Sequence, residues 1–228
     1  MRINSASVIG VLGGMGPYAT IHFLNRLLDL TPTSIDSDHF RTITDINVKI
    51  PSRTRAVKYG EYSPVNDIIC CINNLGDAGC EFVMLPCNSV HYFYKDVAPH
   101  IKIPWLNMIE IVSERTVSRN LKKSLILGGF VTTNKKLYSL YNPDSVYLDE
   151  YGNKQIEKII EEIKSYNEIS KNSFAILQHL IMEIKSEIDS IILACTELSI
   201  VFTSKDFDGI PIVDSSEEYI VYLLEKII

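Results

Sequence analysis

The chain has 228 residues, of which 46% are hydrophobic and 22% are charged. This composition is typical of a globular protein with one large or two small domains, and it excludes a disordered, collagen-like or coiled-coil chain. With 22 Lys and Arg against 28 Asp and Glu, the formal net charge is −6. We therefore expect no general attraction to nucleic acid or to an anionic membrane.

Short apolar segments of strand length alternate with longer helical patterns along the chain. In order, the predicted segments are strand Val8–Leu12, helix Pro17–Leu30, strand Arg41–Val48, helix Val65–Leu75, strand Phe82–Leu85, helix Ser89–Val97, strand Leu106–Asn107, helix Ile109–Leu121, strand Ser124–Leu127, helix Lys135–Tyr141, strand Ser145–Leu148, helices Lys154–Ser165 and Ser173–Glu187, strands Ser190–Leu193 and Ile212–Asp214, and helix Ser216–Ile227. This alternation predicts an α/β fold with parallel sheets covered on both faces.

The sequence contains no membrane-spanning or secretory pattern. No apolar run reaches about 18 residues, and the first apolar stretch is rich in glycine and breaks at Pro17, so we interpret it as a strand in a cytoplasmic protein. The five cysteines are an odd number without a CxxC pair. We therefore expect neither a disulfide framework nor a metal site.

Two motifs occur twice in the same order. Residues 11–15 (VLGGM) align with 126–130 (ILGGF), and residues 83–89 (VMLPCNS) align with 191–197 (IILACTE), at similar offsets. Repetition of this kind indicates two related α/β halves. We predict an N-terminal domain of residues 1–109 with 211–228, and a C-terminal domain of residues 110–210.

Cys87 and Cys195 each follow an apolar strand and precede a helical segment. Ligands of parallel α/β sheets bind at the carboxyl ends of strands, and a thiol at a helix N-terminus is shifted towards thiolate. Two such halves facing each other would place both thiols on opposite sides of one cleft. One thiolate could then remove a proton from a stereocentre while the other thiol delivers one to the opposite face. Polar neighbours that could cap the following helices are Asn88, Ser89, Thr196 and Glu197.

The first glycine-rich loop, residues 14–19 (GMGPYA), fits the dinucleotide pattern GxGxxG/A loosely. The second strand ends in residues 47–49 (NVK), without the carboxylate that a dinucleotide site needs, so we favour a loop that cradles a substrate carboxylate, with Thr20 nearby. Arg53 lies just past a strand and could bind a carboxylate, although a solvated surface arginine is an equal alternative. His91 could activate Cys87, but a packed histidine is the favoured interpretation.

These motifs resemble the cofactor-independent aspartate/glutamate racemase family, and its aspartate racemase branch in particular. The resemblance rests on residues 13–20 (GGMGPYAT), 50–54 (IPSRT), 86–91 (PCNSVH) and 194–198 (ACTEL), and it extends over nearly the whole chain. It implies two similar α/β domains related by a pseudo-twofold axis, an active site in the cleft between them, and a homodimer. It also implies racemisation of acidic amino acids without pyridoxal phosphate or metal.

The resemblance assigns roles to individual positions. Cys87 and Cys195 match the two catalytic thiols, and Arg53 and Lys164 match the cations expected to hold the side-chain carboxylate. The full set of implied substrate-binding residues is Met15, Thr20, Arg53, Asn88, Ser89, Thr133, Lys164, Thr196 and Glu197. Lys164 enters through the resemblance alone, since by itself it would be taken for a surface lysine.

The chain also departs from the family pattern. Ser52 stands where many relatives have Asp, Val48-Lys49 stands where many have Asn-Pro, and Ser89 stands where many have Thr. The substrate side chain is therefore open, with aspartate first and glutamate or a substituted aspartate as neighbours. Two other functions compete: another isomerase or a decarboxylase of small diacids on the same scaffold, and a non-catalytic protein that binds acidic amino acids.

Overall fold

In the computed structural model, residues 4, 6–207 and 209–226 are described. Strand β1 (Ile9–Gly13) lies between β2 (Thr42–Ile46) and β3 (Phe82–Met84) in one parallel sheet. Strand β5 (Ser190–Ala194) lies between β4 (Ser124–Gly128) and β6 (Ile212–Asp214) in a second parallel sheet. The predicted α/β fold with two related parallel sheets is confirmed.

Helices cover both sheets. The α-helices of the described residues are α1 (Pro17–Leu30), α2 (Arg53–Tyr59), α3 (Val65–Asp77), α4 (Tyr94–Val97), α5 (Met108–Ser118), α6 (Phe130–Asn134), α7 (Glu150–Tyr166), α8 (Lys171–Ile184), α9 (Leu198–Val201) and α10 (Ser215–Glu225). Single turns of 3₁₀ helix occupy Asp36–Asp38, Asn88–Phe93, Ala98–His100, Leu137–Leu140, Lys185–Glu187 and Ser204–Phe207.

Local sequence explains where several helices begin. Pro17 occupies the first turn of α1, where its missing N–H leaves no hydrogen bond unmade. The side chains of Asn107, Asp149 and Asp214 accept backbone N–H groups at the starts of α5, α7 and α10. Along α7, isoleucines recur at helical spacing and bury one face against the second sheet.

Several predicted segments differ from the structure. The predicted strands Leu106–Asn107 and Ser145–Leu148 are reduced to single bridges, Val83 with Trp105 and Leu125 with Val146. The predicted helix Lys135–Tyr141 is a 3₁₀ turn entered through a left-handed Lys136 (φ 47°). The helix predicted over Ser89–Val97 begins as 3₁₀ and becomes α-helical only at Tyr94. Ile227, in the last predicted helix, lies outside the described residues.

The end of the chain belongs to both halves. Within residues 211–228, strand β6 pairs with β5 and extends the second sheet. Helix α10 then returns to pack on α1 and α5. The domain division, 1–109 with 211–228 against 110–210, stays a prediction.

A shared core joins the two sheets. Val11 and Met84 from the first sheet, Ile126 and Ile192 from the second, and Tyr219 from α10 belong to one buried apolar cluster. Two further clusters cover the outer faces of the sheets. Because burying apolar surface is the main stabilising contribution to folding, the central cluster holds the carboxyl ends of β3 and β5 near each other.

Candidate active site

Both candidate thiols lie at the carboxyl ends of equivalent strands and line one small cavity. Cys87 follows β3 and Cys195 follows β5, and the cavity they share has a volume of about 70 Å³. The Sγ of Cys87 is buried and donates to the backbone oxygen of Met15 at 3.7 Å. The predicted juxtaposition of the two cysteines in one cleft therefore has a physical counterpart in the structure. The other residues lining this cavity are Met15, Ser52, Arg53, Thr54, Asn88, Ser89, Lys164, Thr196 and Glu197.

Cys195 is linked to a buried acid and, through it, to a lysine. Its Sγ donates to Oε2 of Glu197 at 2.9 Å, and the Nζ of Lys164 lies 3.7 Å from Oε1 of the same carboxylate. Glu197 is buried, and Oε1 has no hydrogen-bond partner within the described residues. Lys164 reaches the site from the end of α7, with about half of its side chain exposed.

The pKa of Cys195 is shifted away from thiolate, in the opposite direction to the sequence-based expectation. Burial, and then the negative charge of Glu197, raise the pKa of the Cys195 thiol well above its ordinary value. The opposing attraction of Lys164 is smaller. For Lys164 itself, burial is the largest single effect and lowers the pKa, but the negative charges of Glu197, Cys195 and Cys87 together outweigh it and leave the pKa raised. At neutral pH these shifts favour a thiol at Cys195 and an ammonium at Lys164.

The predicted capping role of the neighbouring polar residues is also wrong. No side chain caps the turn after Cys87 or the short helix α9, as far as the described residues go. Thr196 instead donates its hydroxyl to the backbone oxygen of Pro86 at 3.2 Å, joining the two cysteine loops. Ser89 lies 3.4 Å from Thr132 across the halves, oxygen to oxygen. These residues hold the cavity walls together.

Asn88 belongs to a buried chain of hydrogen bonds that the sequence did not reveal. Its Oδ1 accepts from the hydroxyl of Tyr138 at 2.6 Å, and its Nδ2 donates to Oγ of Ser215 at 3.0 Å. The hydroxyl of Ser215 donates in turn to the backbone oxygen of Leu193, two residues before Cys195, at 2.7 Å. The chain therefore connects the residue after Cys87 to the strand that ends at Cys195.

The first glycine-rich loop is shaped around the same site. Gly14 has φ +88°, and a Cβ there would lie 2.5 Å from the backbone carbon of Asn47. A Cβ on Gly16 would lie 2.8 Å from Oε1 of Glu197. The loop glycines thus bring the backbone close to β2 on one side and to the Glu197 carboxylate on the other.

Two of the predicted substrate contacts lie outside the cavities. Thr20 and Thr133 line neither the shared cavity nor the larger one beside it. Thr20 accepts from the N–H of Gly14 and donates to the oxygen of Gly16, while Thr133 donates to the oxygen of Gly129. Both threonines hold glycine-rich loops in place, so we assign them a supporting position and no direct contact with substrate.

Arg53 reaches the cavity from the first residue of α2. Its Nη2 donates to the oxygen of Met15 at 2.7 Å and its Nη1 to the oxygen of Pro51 at 3.2 Å. Its Nε is buried and has no partner within the described part of the chain. A buried donor without a partner favours a ligand oxygen at that place. Ser52, whose hydroxyl accepts from the N–H of Arg55, fixes the start of this helix.

His91 is a buried structural residue, as the sequence favoured. The N–H of Met108 donates to its Nε2 at 3.0 Å, so Nδ1 carries the proton and donates to the oxygen of Cys87 at 2.9 Å. Burial lowers the pKa of His91 to about 4, against the effect of its backbone hydrogen bonds. His91 therefore orients the backbone of Cys87 and does not take its proton at neutral pH.

A second, larger cavity adjoins the first. Its volume is about 420 Å³, within the usual range of ligand pockets. Met15, Ser52, Arg53, Lys164 and Glu197 line both cavities. Among the described residues, no group of three or more His, Cys, Asp or Glu side chains is arranged to hold a metal ion. None of the helices in that part of the chain has the length and apolar character needed to cross a membrane.

The chain matches a known protein family over most of its length. Residues 12–222 match the model of the Asp/Glu/hydantoin racemase family. The chain belongs to this family. The match extends from β1 into α10 and includes both cysteine loops, and it confirms the resemblance drawn from the motifs.

Individual relatives of this racemase-family chain are similar over nearly their whole length. It is 28% identical over 216 residues to the broad specificity amino-acid racemase RacX of Bacillus subtilis (strain 168), covering 92% of this chain and 93% of RacX. It is 29% identical to the Picrophilus torridus aspartate racemase, with a TM-score of 0.86 over 96% of this chain and 94% of that one. The family and these relatives support an amino-acid racemase.

The fold extends to a more distant racemase. The glutamate racemase from Francisella tularensis subsp. tularensis SCHU S4 superposes with a TM-score of 0.64 at 17% identity, covering 98% of this chain and 81% of that one. At this identity the likeness shows the fold alone. It agrees with the two parallel sheets described above.

Proposed function

We propose that this chain racemises an acidic amino acid, aspartate first and glutamate second, by proton transfer between Cys87 and Cys195 without a cofactor. The observation that carries the proposal is the single cavity lined by both thiols at the ends of equivalent strands. This cavity is small, about 70 Å³, so a group bound in it would lie close to both cysteines.

In one direction, a thiolate at Cys87 takes the proton from Cα as the C–H bond breaks, and its electron pair passes into the carboxylate as an enolate. The thiol of Cys195 then donates its proton to the opposite face of Cα, which restores the carboxylate and leaves a Cys195 thiolate. The reverse reaction exchanges these roles. General acid–base catalysis of this type requires each sulfur within hydrogen-bonding reach of Cα.

The hydrogen bond from Cys195 to Glu197 offers a route for resetting the thiols. For Cys195 to act as the base, its proton must leave, and Glu197 Oε2 at 2.9 Å is the nearest described acceptor. Lys164, 3.7 Å from the other oxygen, offsets the charge of Glu197 when that carboxylate is ionised. The two thiols are therefore not equivalent, since Cys87 donates only to a backbone oxygen.

Arg53 and Lys164 provide the positive charge for the substrate carboxylates. Arg53, whose Nε has no partner within the described residues, and Lys164, whose side chain is about half exposed, both line the shared cavity. A charge-assisted hydrogen bond to a carboxylate is about twice as strong as a neutral one. One relative is named as an aspartate racemase and another as a broad specificity amino-acid racemase, so the family alone does not fix the substrate side chain. We assign that choice to the residues that line the cavities. A homodimer, implied by the resemblance, and a cytoplasmic location, expected from the N-terminal sequence pattern, stay predictions.

Solvent exchange tests the proposal. L-aspartate and D-aspartate are incubated separately with the protein in deuterated water, and α-deuterium and optical rotation are followed. We expect both enantiomers to exchange and invert, and Cys87→Ser and Cys195→Ser each to lower racemisation by about a hundredfold or more. Cys70→Ser, which changes an exposed thiol outside the cavities, is the matched control and is expected to retain the rate.

Other outcomes identify the competing functions. Loss of carboxylate carbon as CO₂ would indicate a decarboxylase, and binding of aspartate without exchange would indicate a binding protein. Full racemisation by either single serine variant would refute the use of two thiols.

A further inference from the structure

The larger cavity is the roomier place beside the thiols for the side chain of a substrate held between them. The shared cavity has a volume of about 70 Å³ and the adjoining cavity about 420 Å³. The two cavities have five lining residues in common. A short acidic side chain would occupy only a minor part of this space.

The charges of the larger cavity are confined to its inner border. Arg53, Lys164 and Glu197 are its charged lining residues, and all three also line the cavity between the thiols. The rest of the lining is uncharged. Met15 and Ser52 also line the cavity between the thiols, and the outer wall is formed by Gly14, Gly16, Pro17, Tyr18, Val48, Ile50, Ile163 and Ile200. A side chain that extends past the border thus meets an apolar surface.

Part of this apolar surface is open to solvent. Ile50 and Ile163 are buried in the wall, whereas Tyr18 is 59% and Val48 56% exposed at the cavity mouth. Exposed apolar side chains around a concave site mark a place where a ligand covers them. Val48 is also one of the positions at which the sequence departs from the pattern of its family resemblance.

We propose that this enzyme also racemises amino acids with large apolar side chains, of the class of methionine, leucine and phenylalanine, whose side chains occupy the larger cavity. This inference rests on the proposed racemisation. Arg53 and Lys164 at the border bind the substrate carboxylate or a short acidic side chain, while the apolar wall stabilises a longer side chain by excluding water from it.

The test compares α-deuterium exchange of aspartate with that of methionine, leucine and phenylalanine. We expect the wild-type protein to exchange all four, and Val48→Trp, which fills the cavity mouth, to lower kcat/KM for phenylalanine at least about tenfold more than for aspartate. Ile35→Trp is the matched control, because Ile35 is exposed and lines neither cavity. We expect it to leave the ratio of the two substrates unchanged.

The outcomes separate the two proposals. Exchange of aspartate without exchange of the three apolar amino acids would overturn this inference and leave the racemase intact. An equal loss for aspartate and phenylalanine in Val48→Trp would also overturn it. Absence of exchange with every amino acid would instead refute the proposed function.

Discussion

Replacing His91 by Gln should change how the stability of this protein depends on pH. His91 is buried, accepts from Met108 N–H and donates to the oxygen of Cys87. Burial lowers its pKa from 6.5 to about 4 in the folded chain. Between these values the unfolded chain binds a proton that the folded chain does not bind, so stability present above pH 6.5 is lost as the pH falls towards 4.

The size of this loss follows from the two pKa values. A lowering from 6.5 to about 4 corresponds to about 3 kcal/mol of unfolding free energy. His91→Gln has no proton to gain, so it lacks this dependence. At neutral pH the variant should be less stable by about 1 kcal/mol, because a flexible amide holds its donor and acceptor in a different geometry from the imidazole and weakens one of the two hydrogen bonds.

Urea unfolding of both proteins in steps between about pH 7.5 and pH 4.5 measures the difference. We expect the wild-type advantage to shrink and then reverse as the pH falls. Asp214, whose pKa burial raises to about 6, titrates in the same range with the opposite sign, but it is present in both proteins and cancels. If the difference in unfolding free energy between the two proteins stayed constant over this pH range, His91 would have the same pKa in the folded and unfolded chains. That result would refute the reasoning.

Three further substitutions test the supports of the site. Tyr138→Phe leaves the buried Oδ1 of Asn88 without its donor and should lower the unfolding free energy by about 1–3 kcal/mol in urea. Gly16→Ala should displace the Glu197 carboxylate and slow exchange about tenfold or more, with little change in Tm. Glu218→Gln removes a carboxylate that binds two arginines near the end of α5 and should cost about 3 kcal/mol in urea.

Each of these expectations has a contrary result. Unchanged stability of Tyr138→Phe would mean that water replaces the lost hydroxyl. Unchanged exchange in Gly16→Ala would show that Glu197 can move without affecting Cys195. If Glu218→Gln lowered the unfolding free energy by less than about 1 kcal/mol, as expected for an exposed ion pair, the arginine cluster would have to be solvated.

The sequence predicted the framework of the site better than its electrostatics. The repeated Gly-Gly and Cys motifs placed Cys87 and Cys195 at strand ends because strand ends follow from local apolar patterns. The pKa of Cys195 could not be predicted in this way. It depends on burial and on the direction in which Glu197 points, which tertiary packing decides.

Other differences came from segments whose partners are distant in the chain. The three-residue strand β6 has no local feature that selects one sheet over the other, and only its pairing with β5 does so. Tyr138 and Asn88 are 50 residues apart, and the local sequence around either residue does not predict their hydrogen bond. Helices α2 and α9 were missed because they are short, although Ser52 before α2 is a recognisable cap.

The buried hydrogen bonds from Tyr138 through Asn88 and Ser215 to Leu193 connect the two halves. A hinge motion that separated the halves would break these hydrogen bonds and expose the shared apolar core to water. A ligand is therefore expected to approach the two cysteines from the side of Tyr18 and Val48, which line the adjoining cavity, while the spacing of the two halves stays constant.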